Sequence, residues 1–176
     1  MGAKENTGRW PMHLLVIEPE NAHLNHRCMQ EVFFEVPAEC GAAPGVCGVL
    51  NYWLYGSRPA AAAWEELYSG KLVESGFERG KSCTVVFYNA EKDISCVAHG
   101  DDFTFEGAGP DVLWIAGEMK SLLEIKVKAL LGPEEEDDEH VVILGRHARW
   151  TADGIEYEAD PKHRKLIMEN FGFDEE

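Results

Sequence analysis

The sequence predicts an α+β domain with mainly antiparallel strand pairs and its helices on one face of the sheet. Three observations carry that expectation. Short β-branched and aromatic runs recur between Gly, Pro, Asn and Asp clusters. Two pairs of these runs are separated by only a few turn-type residues and read as hairpins. Elsewhere the apolar period lengthens to that of a helix.

Taken in order, residues 1–11 form a polar N-terminal stretch, read as a disordered tail, and 12–173 form the domain. His13–Ile17 (HLLVI) is a continuous apolar strand that Pro19 should end or bend. Glu31–Val36 (EVFFEV) is a second short strand, and 37–48 (PAECGAAPGVCG) is a Gly/Pro-rich loop. Val49–Tyr55 is apolar and aromatic. From Ala60 to Ser75, Trp64, Leu67, Tyr68 and Leu72 fall at i, i+3, i+4 and i+8, one face of a helix that Gly76 should stop. Thr84–Tyr88 (TVVFY) is a strand, "NAEKD" a hairpin loop, and Ile94–Ala98 the returning strand. That strand runs into Asp101–Asp102.

Pro110 and Asp111 suit the first turn of a second helix, expected to run to about Leu131, where Gly132–Pro133 ends it. The acidic run at 134–139 (EEEDDE), inside a loop at 133–140, reads as solvated. Val141–Trp150 and Gly154–Glu158 read as a hairpin around "TADG", with Asp153–Gly154 as its turn. Asp160–Pro161 opens a last helix marked by Leu166, Ile167 and Phe171.

The chain has 176 residues, which suits one domain, and 45% are hydrophobic, enough for a sizeable core. No apolar run approaches the ~18 residues that cross a bilayer. The N-terminus has no apolar leader, so an intracellular protein, cytoplasmic or nuclear and not secreted, is expected. Five irregularly spaced cysteines without a CxxC read as reduced, mostly buried thiols. His23, His26 and Cys28 have ligand-like spacing but no matching second pair, so they define no zinc site. The formal net charge of −16 disfavours a free-standing nucleic-acid binder, which needs basic patches to neutralise phosphates.

The stretch "AHGDDF" (98–103) places two carboxylates between apolar runs. Alone it reads as a turn, because Asp is a common turn residue. Two carboxylates that close repel and need a counter-charge to work together. Magnesium supplies one through hard oxygen ligands, and a metal pair can clamp both oxygens of a phosphoryl transfer. A third carboxylate is then required, and Glu18, just after the first strand, is the nearest by pattern.

Four stretches resemble the reverse transcriptase domain of copia-type LTR retrotransposons, in order and near the usual spacing over residues 12–173. "LLVIEPENAHLN" (14–25) is similar to the first catalytic strand, and "LYGSRPAAAAW" (54–64) to the most specific motif. "CVAHGDDF" (96–103) is similar to the Asp-Asp turn, and 143–173 to a segment with Leu-Gly, a hairpin, Asp-Gly-Ile and a helix ending in Phe-Gly. The resemblance implies a ferredoxin-like polymerase palm followed by a C-terminal hairpin and helix. It implies Asp101, Asp102 and Glu18 as magnesium ligands and catalytic residues. His23, Gly56, Arg58 and Pro59 would face nucleotide and template, and Leu144 and Gly145 would begin the primer-grip hairpin. The partners would be dNTP and primer–template.

The departures fall at working positions. Glu18 stands where the family has Asp, and one extra methylene moves the carboxylate by roughly 1.5 Å; misplacement of about 1 Å can cost on the order of a hundredfold in rate. Pro59, Ala61 and Ala62 replace the Gln, Pro and Arg of the second motif, and His99–Gly100 replace the residues before the Asp pair. The expectation is a palm fragment without autonomous polymerase activity. The alternative is a non-catalytic acidic relic or protein-interaction domain.

Overall fold

The first strand is apolar on both sides, and that decides the layering. In the computed structural model, which describes residues 11–158 and 161–173, β1 (Met12–Pro19) buries Leu15 and Ile17 in one core cluster and Val16 in another. A strand buried on both faces belongs inside a sheet. The other strands of that sheet are β4 (Glu78–Arg79), β5 (Val86–Asn89), β6 (Ile94–His99), β7 (Asp102–Ala108) and β8 (Ile125–Leu131). Their order is β4-β5-β6-β7-β1-β8, every neighbouring pair antiparallel.

Two helices cover one face. α1 (Ala60–Glu74) buries Trp64, Tyr68 and Leu72, with Leu67 partly buried beside them, as its periodicity predicts. α2 (Gly109–Leu122) buries Val112, Ile115 and Met119. Both pack on Leu15, Ile17, Phe87, Cys96, Phe103 and Phe105. Gly76, at φ 87, takes the left-handed conformation just past α1, where glycine carries no steric penalty.

The opposite face meets a second sheet. Its strands β9 (His140–Ile143), β10 (Arg146–Thr151) and β11 (Gly154–Glu158) have the order β11-β10-β9. Val141 and Ala148 pack there on Val16, Ala129 and Leu131. Two short strands, β2 (Phe33–Glu35) and β3 (Cys47–Val49), pair separately. α3 (Pro161–Phe171) leaves Leu166, Ile167 and Phe171 exposed.

Several expectations need correction. The second helix stops at Leu122, and Leu123 turns to extended backbone (φ −143, ψ 151). Residues 125–131 (IKVKALL) then form β8, because β1 needs a hydrogen-bonding partner on both edges. Gly132–Pro133 therefore follow a strand, not a helix. Val141–Trp150 is two strands, broken at Leu144–Gly145, so the expected hairpin is a three-stranded meander. The thiols are all free, but only Cys96 is buried; Cys40, Cys47 and Cys83 are exposed.

The acidic run is a loop with most of its carboxylates exposed, as expected, but one of them is held against the sheet. The side chain of Asp137 is only 8% exposed, and its Oδ2 lies 3.1 Å from His13 Nε2. His13 Nδ1 faces the Pro11 carbonyl oxygen at 3.0 Å, so both ring nitrogens meet acceptors. Asp137 also accepts the Glu134 N–H, and Asp138 accepts the Leu130 N–H. Pro11 thus belongs to the folded part, since Gly109 N–H donates to its carbonyl at 3.4 Å. The remainder of the expected tail, residues 1–10, lies outside the described residues, as does Asp160.

Candidate active site

β6 and β7 form a hairpin closed by the pair His99 and Asp102, with Gly100–Asp101 as its two-residue turn. Gly100 has φ 64 at the first turn position, the arrangement of a type II′ turn. Alternation along β7 sends Phe103 and Phe105 to the helices and leaves Asp102, Thr104 and Glu106 on the other face. β1 runs antiparallel beside it, with Ile17 opposite Phe103. Glu18 follows Ile17, so its carboxylate comes to the same face as Asp102.

A third side chain joins them. In the β1–β8 register Val16 faces Ala129, and the next pair is Ile17 with Val127. Lys128 is skipped: it is the extra residue of a β-bulge. The bulge reverses the alternation of β8. Leu130 and Ile125 both pack on the helix-side core although they are an odd number of residues apart. Lys128 is thereby aimed at the carboxylates. Its Nζ lies 2.7 Å from Asp102 Oδ1 and 3.1 Å from Glu18 Oε2. The hydrogen bond to Asp102 holds its pKa above the ordinary lysine value, burial opposing and Glu18 adding to the rise. The three side chains are 32%, 33% and 40% exposed for Lys128, Asp102 and Glu18, so water still reaches them.

These residues do not fit the magnesium pair that the resemblance implies. Magnesium needs near-octahedral oxygen ligands at about 2.0–2.1 Å. Between Glu18 and Asp102 the shared position is held by an ammonium, which repels a second cation and offers no lone pair. Among the described residues Asp101 makes no ion pair, and no group of three or more His, Cys, Asp or Glu is placed to hold a metal.

The residues expected to face nucleotide and template lie around the start of α1. His23 lies in a short 3-10 turn, Ala22–Asn25, and its ring sits 4.2 Å from that of Tyr55 at 32°. Its Nδ1 is buried and has no hydrogen-bond partner among the described residues. Gly56, at φ 86, shapes the turn closed by Ser57 N–H on Leu54 O at 3.1 Å. Arg58 is exposed, and Pro59 is the N-cap residue of α1. Leu144 and Gly145 form the β9–β10 turn at φ 51 and 74. Leu144 lines a cavity of about 430 Å³ between the sheets, together with Leu14, Asp102, Thr104, Ala148 and Tyr157.

Two contributors escaped the sequence reading. The helical face and the 54–64 motif both include Trp64 without giving it a polar role, yet its Nε1–H donates to Gly100 O at 2.9 Å and ties α1 to the Asp turn. Lys128 was assigned to a helix; the alternation in IKVKALL is the signal that marks a strand there. No protein-family model matches the chain, and no curated protein matches it.

Proposed function

We propose that the chain is a polymerase-palm-like domain descended from a copia-type reverse transcriptase, and that it does not perform metal-dependent nucleotidyl transfer on its own. The element order supports the first half. β1, α1, β6, β7, α2 and β8 read β-α-β-β-α-β, and the central order β8-β1-β7-β6 is that of a ferredoxin-like sheet. The Asp pair lies on the hairpin beside the strand that ends near Glu18, as a palm requires. One observation carries the second half: Lys128 Nζ bridges Asp102 and Glu18. Pro59, Ala61 and Ala62 in the second motif, and a net charge of −16, point the same way. dNTP and primer–template are partners by ancestry, with duplex binding weakened by that charge.

Primer extension tests this. Wild type and Glu18→Asp are incubated with primed RNA or DNA template, dNTPs and magnesium or manganese. The expected result is no extended product from either; extension by the wild type would refute the claim of inactivity.

One observation favours a second reading, a protein-interaction domain. Around β2 and β3, Met29 is 84% exposed and Phe33 62%, with Val49 and Tyr55 also exposed. That reading shares the negative primer-extension result and differs in expecting a protein at this surface.

A further inference from the structure

We propose that Lys128 is a resident cation: its ammonium closes Glu18 and Asp102 into a salt-bridged triad and keeps divalent ions out. The pair becomes a manganese or magnesium site only when that charge is removed. This rests on the proposed function only in taking the two carboxylates as the remnant of a metal pair.

Three features support it. The bulge in β8 places Lys128, and no other residue of that strand, out of register and toward both carboxylates. The ammonium reaches both at once, at 2.7 and 3.1 Å, so an incoming ion has to displace it from two oxygens together. The lysine is tethered to the adjacent strand, so its effective concentration at the position is high and fixed, whereas a hydrated divalent ion must shed water to enter and competes only at high concentration. Without a lysine there, two partly exposed carboxylates are left facing each other with no counter-charge, which is the condition that attracts a hard cation. A second lysine bears on this. Lys126 stands opposite Glu18 across β1 and β8 and makes no ion pair among the described residues. It is the one side chain of β8 able to take over the position.

The test is manganese titration of the full chain, followed by paramagnetic broadening of backbone amide signals. Wild type, K128R, K128M and K126M/K128M are compared, with D102N added to the last two as controls. Broadening at residues 134–139 reports the acidic run and serves as an internal reference in every form. In wild type and K128R, the signals of Ile17, Gly100 and Phe103 should broaden only at the highest manganese concentrations. In K126M/K128M they should broaden at manganese concentrations at least tenfold lower, and D102N should abolish the gain. K128M should lie with the double variant, or between it and wild type if Lys126 substitutes. Amide dispersion elsewhere reports whether each variant is folded, and K128Q replaces K128M if it is not. Two results would overturn the proposal: wild type or K128R binding manganese at Gly100 as tightly as the lysine-free form, or a folded lysine-free form that gains nothing. Either leaves the ancestry and the primer-extension result untouched.

Discussion

Trp64 packs edge-on against Phe103 while its indole N–H donates to the Gly100 carbonyl. One residue therefore joins the helix-side core to the turn that carries the carboxylates. Trp64→Phe keeps an aromatic ring and loses the donor, so it should cost about 1–2 kcal/mol, read as a lower midpoint in urea unfolding. Amide shifts at Gly100 to Asp102 should move with it, which simple loss of core area does not require. Lys128 makes a different prediction. Its pKa in the fold lies above the ordinary lysine value, chiefly through the Asp102 hydrogen bond. A group raised in the folded state contributes stability in full below its unfolded pKa, about 10.4 for lysine, and loses it as pH climbs through the folded value. Wild type should thus exceed K128M in melting temperature by a constant margin at pH 8–9, and the margin should shrink above the lysine range. A margin that grows with pH would contradict this sign.

At the scale of elements, the turns separate what local chemistry prefers from what the chain uses. The β9–β10 turn needs both central residues at positive φ, and this chain places Leu144 there at φ 51 beside Gly145. A branched aliphatic residue in that region costs about 1–2 kcal/mol, and Asn-Gly is the preferred pair. Leu144→Asn should therefore raise stability by about 1 kcal/mol in denaturant unfolding. Leu144 is half exposed on the cavity rim, so little burial is lost in exchange. The same turn explains a misreading. By apolar pattern the run looks continuous from Val141 to Trp150, because an aliphatic residue does not announce a turn; only the resemblance set a hairpin at Leu144–Gly145. By contrast α1, the β5–β6 hairpin and the Gly100–Asp101 turn were legible, since each rests on periodicity or turn residues within a few positions.

For the whole molecule, charge is the governing quantity. With a net charge of −16, the folded chain repels itself, and the acidic run is held to the sheet through the contact of Asp137 with His13. The screening length falls from about 30 Å at 0.01 M salt to about 8 Å at 0.15 M. The melting temperature should accordingly rise over that interval in sodium chloride. The same charge should leave binding to primer–template weak even at the lower salt, measured by fluorescence anisotropy. The sequence by itself determined the α+β class, the apolar faces of the helices, the Asp-bearing hairpin and the acidic excess, because each follows from composition or from residues close in the chain. Only the tertiary structure decided that 125–131 pairs with β1, that its bulge falls at Lys128, and that this lysine stands between Glu18 and Asp102. Pairing register depends on which distant strand supplies the partner, and a shift of one residue changes the face on which a side chain emerges.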